Sequence, residues 1–388
     1  MAGAEVNAYV TATELKSRGH SVGIIHGEGT GQGEARWREL FSPYFSLEKN
    51  DVRRTVREAM AKFCPDVIYV HKMSNLEVIE ALVSSGRPVV RMVHDHDLYC
   101  MRSYKYNPLT RRICRRAASP YCIFPCGAAV TRNRNSGMPV KWVSYLAKVR
   151  EIKLNQQFQR MIVATGYMKD ELVRNRFDRR KIEIHPPVPR TIDSSLRSSF
   201  SERNLILYSG QIIRGKGVDL LLGALATMRI PFECIILGEG NHRPICEELS
   251  RKLGLAGRVH FKGFVPQEEL RSYYCEGSLA VMSSVWPEPF GAAGLEAMRY
   301  GLPVVAFDAG GIREWLVDGY NGFLVPWMDV GGFTNRVEQL LSDKSLAQQM
   351  GERGRQLARE KFDFGHYIQN LEKMFQTVVS ETASTIMV

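Results

Sequence analysis

Two glutamates, Glu288 and Glu296, point most directly to chemistry, and the segment that contains them reads EPFGAAGLE. The apolar run 279–285 predicts a strand, so Glu288 follows a strand's carboxyl end, where open α/β sheets bind ligands. The small residues let backbone N–H groups approach a ligand, and a helix starting there offers its N-terminus to an anion. Glu296 would lie roughly 7 Å along that helix at about 1.5 Å per residue. A lone glutamate pair is more often a loop residue and a solvated helix residue, so the surrounding segments decide its meaning.

A glycine-flanked basic loop supplies what an anionic ligand needs. Residues 204–217 read NLILYSGQIIRGKG, an apolar strand followed by a loop, and an apolar helix comes next. We call residues 210–217 the phosphate loop. Arg214 and Lys216 would place charges beside its backbone donors, although a basic loop alone is usually just solvated. Together with the two glutamates, the loop predicts a site where amides and cations hold a diphosphate and carboxylates bind sugar hydroxyls.

These segments resemble the nucleotide-binding half of the retaining family 4 glycosyltransferases of the GT-B fold. The resemblance extends over residues 204 to about 375 and more loosely over the first half. In that family, glutamates spaced as Glu288 and Glu296 contact the donor sugar and the ribose, and a lysine at the Lys216 position contacts the diphosphate. Other segments that carry it are FECIILGEG, PVVAFDAGGIRE and NGFLVP.

The resemblance also implies the rest of the donor site. The family usually has arginine where this chain has Gln211, and we expect Arg214 to supply that charge. Arg214, Lys216 and helix amides would neutralise the departing nucleotide diphosphate, so transfer requires no metal or other cofactor. The tandem glycines Gly310 and Gly311 would permit close backbone approach to a phosphate or sugar, and a tight turn would explain them equally well. The remaining residues expected to bind the donor are Gly210, Gln211, Phe290, Gly291, Gly310 and Gly311.

In the first half, His94 closes the apolar segment PVVRMVHD, at the carboxyl end of an expected strand. The resembled family has a histidine near the transferred sugar after this strand, and His94 with Asp95 matches it best. Asp95 is accordingly expected on the acceptor side. His96 is the competing candidate, and a capping or core histidine is the alternative to any role at the site.

Helical and strand patterns alternate along the chain, which favours parallel sheets in both halves. The expected fold is α/β of the GT-B type, with two Rossmann-like, doubly wound parallel-sheet domains facing a cleft. We expect an acceptor-side domain over 1–190, a nucleotide-sugar-binding domain over 191–362, and a helix over 363–388 that crosses back to the first domain. A Cys-rich insertion is expected over about 98–130, and a long helix over about 140–158.

The sequence enters a helix within its first residues, MAGAEV, whereas a doubly wound domain normally begins with a central strand and a glycine-rich turn. Gly3 would remain from that turn, on the acceptor side. We expect the first domain to lack its first strand, which leaves two strand edges unpaired, and the chain to be truncated relative to an active parent.

The sequence contains eight cysteines and no recognisable secretory signal, which favours a reducing compartment and free thiols over a disulfide framework. Four of them cluster in the basic, Pro-containing insertion, and the last two have spacing within the range of structural zinc ligands. A structural zinc site is one interpretation, and free cysteines packed in an insertion are the other. The four are Cys100, Cys114, Cys122 and Cys126.

The chain of 388 residues has a net charge of +11, which favours an acidic partner such as a nucleotide sugar or an anionic membrane surface. Its basic runs are not interleaved with aromatic residues, so we expect no nucleic-acid partner. No run reaches the 18 or so apolar residues of a membrane span. The expected protein is a cytoplasmic hexosyltransferase of polysaccharide biosynthesis, peripheral at the inner face of the membrane, with a glycan or lipid-linked acceptor.

Two other classes of function remain open at this stage. Gln211 and the missing strand are compatible with a catalytically silent protein that binds sugar nucleotides or acts as a scaffold. Another GT-B enzyme, such as a sugar-nucleotide epimerase or a phosphorylase, is the second class. Turnover of a nucleotide sugar to its epimer without an acceptor would identify the epimerase, and tight binding without turnover would identify the silent protein.

Overall fold

The computed structural model describes residues 3–27, 33–48, 51–107, 109–132, 140–190 and 195–386. The chain forms two compact units. The first comprises Met1–Ser103, Arg115–Arg190 and Phe364–Val388, and the second comprises Tyr104–Cys114 and Thr191–Asp363. The last helix therefore belongs to the first unit, and part of the Cys-rich insertion belongs to the second.

Strands and helices alternate through most of the described chain. The strands are β1 (Ile24–His26), β2 (Tyr44–Ser46), β3 (Ile68–His71), β4 (Val89–Val93), β5 (Val130–Arg132), β6 (Val140–Trp142), β7 (Arg160–Val163), β8 (Ile182–Ile184), β9 (Leu205–Ser209), β10 (Glu233–Leu237), β11 (Val259–Gly263), β12 (Leu279–Met282), β13 (Val304–Phe307) and β14 (Gly322–Val325). The helices are α1 (Gly3–Ser17), α2 (Glu34–Leu40), α3 (Val52–Phe63), α4 (Leu76–Val83), α5 (Tyr145–Asn155), α6 (Gly166–Arg174), α7 (Val218–Ala226), α8 (Arg243–Lys252), α9 (Gln267–Glu276), α10 (Ala292–Arg299), α11 (Val330–Ser342), α12 (Lys344–Lys361) and α13 (Phe364–Ile386).

The second unit is built on one parallel sheet of six strands in the order β11-β10-β9-β12-β13-β14. Its central strands are nearly continuous apolar runs, as expected for parallel strands buried on both faces. The order in which the chain adds strands to the sheet reverses between β9 and β12, which pair at Ile206 with Leu279. In open α/β sheets, ligands bind outside the carboxyl ends of the strands at such a reversal. The loops that follow β9 and β12 carry Lys216 and Glu288.

The first unit has a four-stranded parallel sheet, β3-β4-β7-β8, and a separate parallel pair, β1-β2. Among the described residues, β1 and β3 belong to different sheets and are not hydrogen-bonded to each other. That the first domain lacks its first strand stays a prediction. A cavity of about 1160 Å³ is lined by both of these edge strands, by α1 and by α13. Helix α13 covers the four-stranded sheet, with Leu371 and Val378 packed in one cluster with Val90, Met92 and Ile162.

The α/β class with two parallel-sheet domains is confirmed, but the long helix expected over 140–158 is wrong at its start. Val140–Trp142 forms strand β6, antiparallel to β5, and α5 begins only at Tyr145. Ser144 caps that helix by accepting a hydrogen bond from the backbone N–H of Ala147. β-Branched and aromatic residues favour the strand before the cap. The short elements α2 and β2 were not expected from the sequence.

Among the helices of the described residues, none is both long enough and apolar enough to cross a membrane.

Candidate active site

The backbone of Glu288 is fixed beside the loop that follows β13. Its N–H donates to the carbonyl of Ala309 (3.1 Å), and its carbonyl accepts from the N–H of Gly311 (2.7 Å). At Gly310, φ is +70°, and a Cβ there would lie 2.6 Å from the backbone nitrogen of Glu288. Glycine is therefore needed at position 310 for close approach to Glu288. This close approach gives Gly310 a structural role, and contact of the tandem glycines with a donor stays a prediction.

The carboxylate of Glu288 is 3% exposed and is held by three side chains through Oε1. It accepts hydrogen bonds from Lys216 Nζ (2.6 Å), from Trp286 Nε1 (3.0 Å) and from the hydroxyl of Ser284. Burial by itself would raise the pKa of Glu288. The charge of Lys216 and these hydrogen bonds outweigh burial and hold the pKa below its ordinary value. Glu288 is therefore an ionised, oriented carboxylate at neutral pH.

Lys216 reaches Glu288 from the phosphate loop. The backbone of this residue is fixed on both sides, because its N–H donates to Ile213 and its carbonyl accepts from the hydroxyl of Ser283 (2.9 Å each). Nζ lies 5.2 Å from the centre of the Trp286 ring, within range of a cation–π contact. The Lys216 side chain keeps 18% exposure, so part of it is accessible to a ligand.

The other phosphate-loop residues are placed differently. Arg214 and Gln211 are exposed, and the Gln211 carbonyl accepts from the Tyr208 hydroxyl (2.9 Å). Gly210 donates its N–H to the carbonyl of Leu237 on the neighbouring strand (3.0 Å). Of the two cations expected in this loop, Lys216 is thus built into the Glu288 cluster, and Arg214 faces solvent.

Helix α10 begins directly after Gly291, its N-cap. The backbone N–H groups at its start, at Ala292 and the following residues, therefore lie beside the loop that contains Glu288. Phe290 is buried against Phe362, with ring centres 5.6 Å apart, and its carbonyl accepts from Trp315 Nε1 (2.6 Å). Phe290 therefore anchors the start of the helix, and its contact with a donor stays a prediction.

Glu296 lies on α10 and is partly exposed. The hydroxyl of Tyr274, from α9, lies 3.5 Å from its Oε2. Burial, together with the Glu296 charge, raises the pKa of Tyr274 well above its ordinary value, so the phenol stays protonated and donates. This contact orients the carboxylate, which the resemblance assigns to ribose binding.

In the first unit, His94 follows β4 and pairs with His71 at the end of β3, with His94 Nε2 2.8 Å from His71 Nδ1. Burial and the neighbouring imidazole lower the pKa of His71 to about 3, and burial lowers that of His94 to about 4. Both rings are neutral at pH 7, so one donates to the other. His96, the competing candidate, is fully buried and bonds to the Tyr99 hydroxyl (2.7 Å), as a core histidine does.

Asp95 forms an ion pair with Lys72 (2.6 Å) and accepts from the backbone N–H of Asp97 (2.9 Å). The nearby groups that affect Asp97 are Asp95, Lys72 and Ser103. Burial and the Asp95 charge raise the pKa of Asp97 to about 6. Folding therefore favours the protonated form of Asp97 over its carboxylate.

Replacing Asp97 by asparagine is expected to remove a pH dependence of stability. The folded protein holds this proton more tightly than the unfolded chain, so the linked stability is complete below pH 3.8 and is lost as the pH rises to about 6. Urea unfolding at pH 4 to 7 should show that loss in the wild type and in the exposed control Asp66→Asn. Equal slopes in Asp97→Asn and the wild type would contradict the assignment.

The remaining predicted residues lie outside these clusters. Gly3 is exposed at the start of α1. Within the part of the chain that the structure describes, none of the four insertion cysteines forms a disulfide bond. Cys114 belongs to the second unit, and Cys100, Cys122 and Cys126 belong to the first. Across the described ranges, no group of three or more His, Cys, Asp or Glu side chains is arranged to hold a metal ion. The zinc site stays a prediction.

Several site residues were not expected from the sequence: Ser284, Trp286, Tyr274 and His71. Ser284 and Trp286 precede Glu288 in the same loop, and this closeness in sequence was the signal that could have predicted their contact with it. His71 is the last residue of β3, and His94 directly follows β4. These strands are parallel neighbours, so their carboxyl ends lie together. Nothing in the sequence pairs Tyr274 with Glu296.

Two family models match the chain. The model described as "Glycosyl transferases group 1" matches residues 192–357, and that described as "Glycosyltransferase Family 4" matches residues 1–188. This chain belongs to the family 4, group 1 glycosyltransferases. The expected family is thereby confirmed.

This family 4 glycosyltransferase spans about half the length of the curated relatives that it matches. The lipopolysaccharide core biosynthesis glycosyltransferase LpsE of Rhizobium meliloti is 32% identical over 164 residues, 42% of this chain and 47% of the relative. The alpha-D-kanosaminyltransferase of Streptomyces kanamyceticus is 34% identical over 169 residues, 43% of this chain and 44% of the relative.

Solved structures share the fold over nearly the whole chain. Anabaena HepE in complex with UDP has a TM-score of 0.74 at 19% identity and covers 97% of this chain and 96% of its own. Sucrose-phosphate synthase from Thermosynechococcus elongatus has a TM-score of 0.73 at 16% identity, with 98% and 94% covered. These similarities show the GT-B fold.

Proposed function

We propose that this protein transfers a sugar from a nucleoside-diphosphate sugar to a glycan or lipid-linked acceptor. The observation that carries the proposal is the Lys216–Glu288 pair beside the N-terminus of α10, at the reversal of the six-stranded sheet. A cation, helix amides and an oriented carboxylate meet there, and this is the combination that a sugar diphosphate requires.

The arrangement assigns each group a role. A donor diphosphate would compete with Glu288 for the ammonium of Lys216, and the first amides of α10 would bind its other oxygens. Trp286 and Ser284 would keep Glu288 ionised and directed at the sugar hydroxyls after Lys216 turns to the phosphate. As the glycosidic bond breaks, negative charge grows on the diphosphate, and Lys216 and the amides stabilise it. Retention of configuration is implied by the family.

The relatives support this class of reaction over the alternatives. LpsE is named for lipopolysaccharide core biosynthesis, and a Mycolicibacterium smegmatis relative, 30% identical over 177 residues, is named a GDP-mannose-dependent phosphatidylinositol monomannoside mannosyltransferase. These names support a glycan or lipid-linked acceptor, and the net charge of +11 favours an anionic membrane surface as a further partner. His94 is proposed to lie near the transferred sugar, and Asp95 is proposed for the acceptor side.

Thermal shift measurements with UDP-, GDP-, ADP- and dTDP-sugars test the proposal. A donor at 100 times its Kd stabilises the folded protein by about 2.7 kcal/mol, so one base should raise Tm clearly above the others. That donor should then be consumed with a glycan or glycolipid acceptor. No shift with any nucleotide sugar would overturn the proposal, and formation of an epimer without acceptor would favour the epimerase.

A further inference from the structure

A short hairpin from the insertion belongs to the second unit, and we call Tyr104–Cys114 the insertion hairpin. It closes on itself through an antiparallel bridge between Tyr106 and Ile113. The N–H of Cys114 also donates to the carbonyl of Lys105 (2.7 Å). The hairpin is therefore a formed structural element rather than an extended connection.

The first contact of the insertion hairpin is with the middle of the phosphate loop. A Cβ at Gly215 would lie 3.2 Å from the ring and hydroxyl of Tyr106 and 3.2 Å from Cβ of Trp286. The Gly215 carbonyl accepts from the N–H groups of Val285 (2.9 Å) and Trp286 (3.0 Å). Gly215 is thus enclosed by the hairpin on one side and the Glu288 loop on the other.

The second contact is an ion pair at the end of the phosphate loop. Arg111 Nη2 lies 2.5 Å from Asp219 Oδ2, and only 8% of the Arg111 side chain is exposed. Asp219 lies in the first turn of α7, which begins directly after Gly217. His242 Nε2 is 3.9 Å from the other carboxylate oxygen of Asp219. Because the Arg111 side chain is buried and that of Asp219 is 20% exposed, this largely buried ion pair fixes the hairpin to α7.

A third contact connects the hairpin to Trp286, which holds Glu288. The ring centre of Tyr104 lies 5.8 Å from that of Trp286. Trp286 donates to Glu288 and lies under the ammonium of Lys216. The hairpin therefore supports both sides of the Lys216–Glu288 pair, through Gly215 and through Trp286.

We propose that the insertion hairpin holds the phosphate loop in its diphosphate-binding conformation, with Tyr106 and Arg111 as positioning residues for Lys216. The inference rests on the proposed function of the Lys216 site. Neither residue touches the reacting atoms, because Tyr106 acts through Gly215 and Arg111 through Asp219. Without either contact, the segment that carries Lys216 is less ordered before the ligand binds. Ordering this segment on binding then costs part of the binding free energy.

The test uses the full chain and whichever of UDP, GDP, ADP, CDP and dTDP the wild type binds most tightly, with the matching nucleoside as reference. Arg111→Ala and Tyr106→Ala should weaken the nucleoside diphosphate about tenfold and leave the nucleoside unchanged. Arg111→Lys should recover part of the loss. Arg112→Ala is the matched control, because it removes an exposed charge from the same hairpin.

A double-mutant cycle separates positioning from simple loss of packing. If the hairpin acts through Lys216, Arg111→Ala should cause no further loss of diphosphate affinity in a Lys216→Met background. Losses that add, equal weakening of the nucleoside, or equal affinities of Arg111→Ala and Arg112→Ala would each overturn the inference. A wild type that binds none of the five diphosphates would instead refute the proposed function.

Discussion

Replacing Lys216 by methionine is expected to weaken diphosphate binding by about 100-fold and to lower the free energy of unfolding of the second unit by about 3 kcal/mol. The loss of stability arises because Glu288, 3% exposed, would keep a buried charge without its counter-ion. The value lies at the lower end for broken buried pairs, since 18% of the Lys216 side chain is exposed. Urea unfolding and calorimetric titration with the nucleoside diphosphate measure the two effects.

The double variant Lys216→Met with Glu288→Gln separates these effects. Removing both charges leaves no unpaired carboxylate, so most of the lost stability should return, whereas diphosphate binding should not. Lys262→Met is the matched control, because Lys262 is an exposed lysine of β11 in the same unit. Diphosphate binding by Lys216→Met at wild-type affinity would contradict the role given to Lys216.

Replacing Glu288 by glutamine is expected to lower the rate of sugar transfer by about 10²- to 10³-fold while leaving donor binding intact. The amide keeps the shape of the side chain, but the charge that orients the donor sugar and stabilises the transition state is lost. Lys216 also loses the carboxylate that competes with the diphosphate, so Kd for the nucleoside diphosphate should stay equal or fall.

Steady-state kinetics and titration of Glu288→Gln should show a lower kcat together with an unchanged or higher diphosphate affinity, a combination that general loss of structure does not produce. Glu268→Gln, which changes an exposed carboxylate of α9, should resemble the wild type in both measurements. Transfer by Glu288→Gln at more than about a tenth of the wild-type rate would show that the carboxylate is not part of the catalytic machinery.

The sequence predicted what depends on local pattern and on general rules for parallel sheets. The apolar strands β9 and β12 are apparent as runs, and their pairing brings the phosphate loop and Glu288 together. The contact between Lys216 and Glu288 follows from this geometry.

Other features depend on contacts that no local pattern encodes. The short α2 and β2 have too few residues to show a period, and the strand β6 exists because it pairs with β5. The insertion hairpin joins the second unit through an ion pair between Arg111 and Asp219, far apart in sequence. Gly310 is explained by its close approach to Glu288, a contact between two loops that no local pattern of residues encodes.

The most direct test of the central claim is a crystal structure of the protein with its preferred nucleoside diphosphate. We expect a diphosphate oxygen within about 3 Å of Lys216 Nζ and others on the first amides of α10, with Glu288 still held by Trp286 and Ser284. A diphosphate bound elsewhere, with Lys216 still bonded to Glu288, would contradict the assignment of this site.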